Sequence, residues 1–184
     1  MLTGLTERTI KNLQLNAGVL LSSYTKGEDI AEESILGATR GGGSVVIQPT
    51  IRQMAVDGAP TYTKGLERID DVTARLQFTM VEFSPALVKR AIAGASINTA
   101  SADSVITSVH KVLTDDYQDV WWIGDTSDDK QVVVHLKNAL NTDGLSLGAT
   151  DKGEGTYSLN LVAHYDIGEF DTAPYEIIFE NVVE

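Results

Sequence analysis

His110, His135 and His164 are the first residues to weigh for metal or acid–base chemistry. None has a partner three or four residues away on a predicted helix, so the spacing that puts two ligands on one helix face is missing. For His164 the expected role is an outward polar position on a strand. Asp125, Ser127 and Asp129 have the spacing that opens a calcium loop. Lys130 stands where that loop needs glycine, however, and Leu136 where it needs a chelating glutamate. Gly41-Gly42-Gly43 lacks the lysine of a phosphate loop and precedes a strand instead of opening a helix, so it reads as a turn. Cysteine is absent, which excludes disulfides, thiolate metal sites and a cysteine nucleophile. No G-x-S-x-G occurs. These residues predict no enzyme, no cofactor and no metal.

Charge is distributed unevenly. Residues 1–92 hold 10 basic and 10 acidic side chains, and residues 93–184 hold 4 and 16, so the whole net charge of −12 falls in the second half. Such a half does not grip nucleic acid, which needs clustered Lys and Arg. It is either a solubilising surface or one that repels phosphate. No run of 18 apolar residues is present and Met1–Lys11 has no apolar stretch, so the sequence predicts neither a membrane span nor a secretory signal. That points to the cytosol, or to export without a signal.

The 184 residues, 42% of them apolar, suit one domain over 1–184 with long arms. Periodicity predicts a mainly β chain. Leu13, Leu15, Ala17, Val19 and Leu21 alternate with mostly polar or small neighbours. Val45, Ile47 and Ile51 mark a second run, which Pro49 demotes to an edge strand or a break. Val72, Ala74, Leu76, Phe78 and Met80 face one way, while Thr73, Arg75, Gln77 and Thr79 face the other. A strand over Arg68–Phe83 would be 16 residues, or roughly 50 Å, beyond what an ordinary domain needs. Ser84 as N-cap, Pro85 at the first position, the Leu87-Val88-Ala91-Ile92 stripe and Gly94 as stop predict one short helix.

Ala95–Asp103 reads as a loop, and Val105–Leu113 is ambiguous between strand and helix. Asp119–Gly124 and Gln131–Lys137 read as strands joined by a turn. Trp121 and Trp122 point to opposite faces, one of them a candidate interface anchor. In Tyr157–Ile167 the odd residues Tyr157, Leu159, Leu161, Ala163, Tyr165 and Ile167 face in, and Ser158, Asn160, His164 and Asp166 face out. Tyr175–Val183 forms the last strand. Two long loops, 23–43 and 53–65, are candidates for function.

The sequence resembles the major tail tube proteins of long-tailed (siphovirus-type) bacteriophages. The match rests on Asn12-Leu13-Gln14-Leu15-Asn16-Ala17-Gly18-Val19-Leu20-Leu21. It continues from Pro49-Thr50-Ile51-Arg52 through Lys64-Gly65-Leu66-Glu67-Arg68 to Ala74-Arg75-Leu76-Gln77-Phe78, and on into the Ser84–Gly94 helix. The second half matches only in pattern: acidic, rich in strands and ending in one.

The resemblance implies the phage tail tube fold, a β-sandwich or barrel with one flanking α-helix and extended loops. It implies a virion structural protein whose hexameric rings stack into a tail tube, four strands per subunit closing the inner barrel. Its acidic lumen holds the tape measure protein and then conducts DNA during ejection, repelling phosphate instead of binding it. Further implied partners are other copies of the chain, a tail terminator and initiator or baseplate proteins, with no membrane involved. The tail would be assembled in the host cytoplasm. About 24 strands, ~4.8 Å apart and tilted ~40°, give a wall roughly 48 Å across and a channel of roughly 35–40 Å, wide enough for a duplex.

In that frame residues 1–11 and the loops 23–43 and 53–65 are inter-subunit arms, with Gln53, Asp57, Tyr62, Lys64 and Arg40 as contacts between rings. Thr73, Gln77, Thr79, Ser158, Asn160, His164 and Asp166 are the candidate lumen face. Arg75 fits such a face only if it pairs with an acid or sits at a ring seam. Two other readings stand beside this one: the inner tube of a phage-tail-like bacteriocin or other injection particle, and a monomeric β-sandwich binding module.

Overall fold

Strands are the dominant regular structure of the chain. A computed structural model describes residues 4–14, 16–100, 102–128 and 130–179. Its elements are α1 (Glu7–Lys11), β1 (Val19–Leu21), β2 (Thr39–Gln53), β3 (Glu67–Met80), α2 (Pro85–Ala91), β4 (Ala95–Asn98), β5 (Val105–Ser108), β6 (Gln118–Asp125), β7 (Gln131–Asn141), β8 (Leu147–Gly148), β9 (Thr156–Val162) and β10 (Tyr175–Phe179). The fold is mainly β, as the periodicity predicts.

Eight strands form one antiparallel sheet in the order β1-β6-β7-β9-β3-β2, with β10 on β7 and β8 on β9. β7 belongs to both halves of it. Residues Val132–Leu136 pair with β6 and β10, whereas Leu140 and Asn141 pair with Val162 and Leu161 of β9. The change comes at a bulge, where Val120 opposes Leu136 but Gln118 opposes Ala139, and Asn138 takes φ +48°.

The two halves close over one core. Leu20 of β1, Val120 of β6, and Val134 and Leu136 of β7 pack with Ala74, Leu76, Phe78 and Met80 of β3 and with Tyr157, Leu159 and Leu161 of β9. The period-two alternation in each strand sends these side chains to one face. α2 adds Leu87 and Ala91; Ser84 Oγ accepts the Leu87 N–H at 3.3 Å and Pro85 opens the first turn, as predicted. A smaller cluster of Leu21, Ile123 and Val133 lies behind β1-β6-β7, covered by Tyr24, Trp121 and Ile178. Trp121 and Trp122 therefore do point to opposite faces, and both are half-buried.

Several boundaries differ from expectation. The alternating run 13–21 is a strand only at Val19–Leu21. Before it stand α1, a second short helix, and an irregular strap crossing Trp122, whose Nε1 donates to Ala17 O at 3.0 Å. Gly18, at φ +70°, lies against that indole with no room for a Cβ. Loop 23–43 ends at Ala38, because the glycines join β2 through a bulge between Thr39 and Gly43; a Cβ on Gly43 would enter the Phe78 ring. Ala95–Asn98 is not loop but β4, hairpin partner of β5. β9 stops at Val162: Ala163 N still bonds Ala74 O, but His164 N turns to Lys137 O, and the chain leaves β3 for β7. Ile167, expected to face in, is 100% exposed. Residues 1–3, Leu15, Asp129 and 180–183, which carry parts of the expected arm, strands and turn, lie outside the described residues.

Candidate assembly surface

β2, β3 and β9 run side by side, and a fourth strand position beyond β9 is filled in two pieces. Leu140 and Asn141 pair with Val162 and Leu161, and Leu147 and Gly148 pair with Tyr157 and Thr156. Between the pieces residues 142–146 leave the sheet. The Asn141 side chain fills the gap: its Oδ1 accepts Asn160 N at 3.0 Å, and its Nδ2 donates to Ala91 O at 2.7 Å and Gly144 O at 3.0 Å. A side chain here supplies what a continuous strand would give through its backbone.

Directly paired residues share a face. Thr79 pairs with Ser158 and Gln77 with Asn160, while Ser44 and Gln48 of β2 lie opposite Gln77 and Thr73. The structure thus gathers Thr73, Gln77, Thr79, Ser158 and Asn160 onto one face. His164 and Asp166 do not belong to it, a correction that follows from β9 ending at Val162. They lie beside the bulge of β7, where Asn138 Nδ2 donates to Asp166 Oδ1 at 2.9 Å and His164 Nδ1 lies 3.2 Å from Asn138 O. Asn160 is a second correction. It keeps its face but is 7% exposed, because Asp143 in the gap loop folds over it and accepts from its Nδ2 at 2.8 Å.

From Asp71 to Thr79 the β3 positions on this face carry one acid, Asp71, and one base, Arg75. Arg75 sits between Val46 and Val162 in mid-strand. Its Nε is buried without a hydrogen-bond partner. Neither a pairing acid among the described residues nor a place at the end of the strand accounts for it.

The β2–β3 hairpin reaches past the body. Tyr165 marks where support ends, its hydroxyl accepting Val72 N at 3.1 Å. Beyond that latch Ile51 and Ile69 are paired, and they stay 55% and 63% exposed. They continue the face that, nearer the body, carries Ala74 and Leu76. A lone two-stranded ribbon has little stability of its own. Gln53 Nε2 closes it by donating to Glu67 Oε1 at 2.8 Å. Asp57 and Lys64 are exposed in the tip, and Tyr62 is 78% exposed at φ +63°. Four of the five expected ring contacts therefore share one arm. Arg40 does not: it is in β2, 13 residues before Gln53, roughly 40 Å away along the strand. There it pairs with Glu154 at 2.7 Å.

Across the arm's outer face Arg52 Nε donates to Asp70 at 2.8 Å, which holds the Asp70 carboxyl below its ordinary value and raises the guanidinium. Glu154 is likewise lowered by its bond to Arg40. The histidines fall apart. His135 stacks on Trp121 at 4.4 Å and meets Asp119, which removes Trp121 as a free anchor; His110 is exposed. Among the described residues no three His, Asp or Glu side chains are grouped to hold a metal ion, and no helix is long and apolar enough to cross a membrane. The ladder register, the Tyr165 latch and the Asn141 plug carry no sequence signal, although Ile51 and Ile69 flanking a loop are visible as apolar residues without an obvious core. Compared with known proteins, the sequence matches no family model and no curated protein.

Proposed function

We propose that this chain is the subunit of a self-assembled tube, of the kind that phage tails use to conduct DNA. The observation that carries this reading is the 15-residue strand β2, whose outer edge has no strand partner among the described residues and which continues into an arm exposed on both faces. An edge of that length in a monomer invites pairing with another chain. Pairing it head to tail with the broken fourth strand of the next copy uses both edges and closes a ring. Six copies of a four-stranded sheet suit the dimensions worked out above. The arms then join ring to ring, with Arg40 and Glu154 at the opposite end of the wall.

In this reading the face of Thr73, Gln77, Thr79, Ser158 and Asn160 lines the lumen. Its hydroxyls and amides leave phosphate with little to grip apart from one ring of Arg75. The lumen wall is then close to neutral and not acidic as expected, because this face of β3 and β9 carries mostly hydroxyls and amides, and the acidic excess of the second half serves mainly elsewhere on the tube. The tape measure protein and DNA would occupy that channel in turn. Terminator and initiator proteins would cap its ends, in the virion tail.

Negative-stain electron microscopy of the concentrated protein, with light scattering, tests the proposal. Stacked rings or tubes with a central hole are expected. A uniform monomer that also fails to polymerise on tail initiators would overturn it.

A further inference from the structure

The fourth strand position beside β9 is interrupted by a small excess of chain. Asn141 pairs with Leu161 and Leu147 with Tyr157, so residues 142–146 stand opposite 158–160, five residues where β9 has three. The excess is two residues, and absorbing an even number leaves every side chain on its own face. Leu145, which already packs on the core, would then continue the fourth strand on the core side. The segment instead loops out through Asp143-Gly144, a tight-turn dipeptide, with Gly144 at φ +73°. It is fastened in that form by Asn141 Nδ2 on Gly144 O at 3.0 Å and by Asp143 on Asn160 Nδ2 at 2.8 Å. Beside β9, strand is left only at Leu140-Asn141 and Leu147-Gly148.

β2 presents an edge of the opposite kind. Ala74 gives its carbonyl to Ala163 N, so Ile47, paired with Ala74, turns its own N–H and C=O away from β3. Val45, Ile47 and Pro49 therefore address the free edge, and proline is tolerated at Pro49 because the missing N–H would have pointed there. This 15-residue edge can bond along its length only to a strand without a break. Two paired residues on either side of a loop do not offer one, and interrupting an edge in this way prevents untimely pairing. We infer that Asp143-Gly144 is a guard on the fourth-strand edge, keeping off β2 of a second copy until residues 142–146 slide two places along β9 and complete the strand. β8 is held by two pairs, so the slide breaks little. The inference rests on the tube reading, which supplies the two edges that meet. The guard raises the concentration at which copies join.

Deleting Asp143 and Gly144 from the otherwise intact chain tests this, with sedimentation and light scattering in the absence of tail initiators. The deletion variant should self-associate at about one-tenth of the concentration that the wild type needs, the effect of two or three recovered backbone hydrogen bonds. Adding Val45→Pro, which removes an N–H from the β2 edge and none from the β2–β3 ladder, should cancel the gain. Gly144→Val keeps the chain length and penalises only the left-handed turn, since a Cβ there meets no atom within 4 Å. It should act in the same direction, and it replaces the deletion if that variant does not fold. No association, an unchanged threshold, or a gain that survives Val45→Pro overturns the inference. Tubes formed at the unchanged threshold would leave the tube reading intact. A lowered threshold that yields polymers without a central hole would uphold the guard and reject the tube.

Discussion

Asp119 accepts the backbone N–H of Asn138 on its Oδ1 at 2.9 Å. That N–H is turned out of the ladder by the bulge in β7, and without Asp119 it would be orphaned. The other oxygen of Asp119 lies 2.9 Å from His135 Nε2, so one carboxylate on β6 holds both sides of the bend. Asp119→Ala should lower the unfolding free energy in urea by about 2–3 kcal/mol with no change in slope. Asp119→Asn retains an acceptor for Asn138 and should lose distinctly less. Equal losses would show that charge, and not the bond to Asn138, is what matters.

Asn141, in the broken fourth strand, is 1% exposed and satisfies one backbone group each of β9, α2 and the gap loop. Asn141→Leu fills similar space and leaves Asn160 N, Ala91 O and Gly144 O unpaired. A loss of about 3 kcal/mol is expected, together with faster hydrogen exchange at the Asn160 amide. Slow exchange at Asn160 in the variant would mean that the gap is closed by other means.

Tyr157 offers the opposite sign. Its hydroxyl is buried with no partner, while its ring makes an edge contact with Phe83 at 5.8 Å that phenylalanine would keep. Tyr157→Phe should be neutral or stabilising at pH 7. Burial first, and then the charge of Glu82, pushes the Tyr157 pKa up to about 12. The folded state thus disfavours the phenolate. This tyrosine's share of stability is intact below pH ~10 and is lost as pH rises from there through 12. Thermal midpoints from pH 7 to 11 should fall less steeply in Tyr157→Phe than in the wild type, and parallel curves would contradict the assignment.

Ile51→Asp and Ile69→Asp alter side chains that face solvent in the single chain. Each should change monomer stability by no more than about 0.5 kcal/mol. If the arm is buried between copies, each should abolish polymerisation seen by sedimentation, because Asp replaces an apolar contact worth about 1.5–3 kcal/mol and is repeated in every copy. Tyr62→Arg or Asp57→Lys should weaken stacking more mildly. Normal tube yield from the Ile69 variant would remove the arm from the contact surface.

Alternation made the central elements legible. Val72 to Met80 and Tyr157 to Ala163 show their buried face in the sequence, and Ser84-Pro85 shows where α2 begins. Periodicity says which side chains share a face; it does not say what lies over that face. Asn160 therefore read as outward and is buried by Asp143, a residue 17 positions away whose approach depends on the gap in the fourth strand. The end of β9 was hidden for a similar reason. Tyr165 and Ile167 keep the alternating pattern while His164 has already exchanged its ladder partner for Lys137 O. In the candidate lumen set the five residues on β3 and β9 stay together, and the two beyond that exchange fall away.

β7 runs from one half of the eight-stranded sheet to the other without a break in its backbone. In a sandwich whose layers share no strand, force applied to one layer can slide it over the other, losing only side-chain packing. Here any such slip must first tear β7 from β6 and β10, or from β9. A pull on the β2 edge would be carried through β3 and β9 into β7 and so to the other half of the sheet, making the chain a stiff mechanical unit that yields all at once instead of half by half.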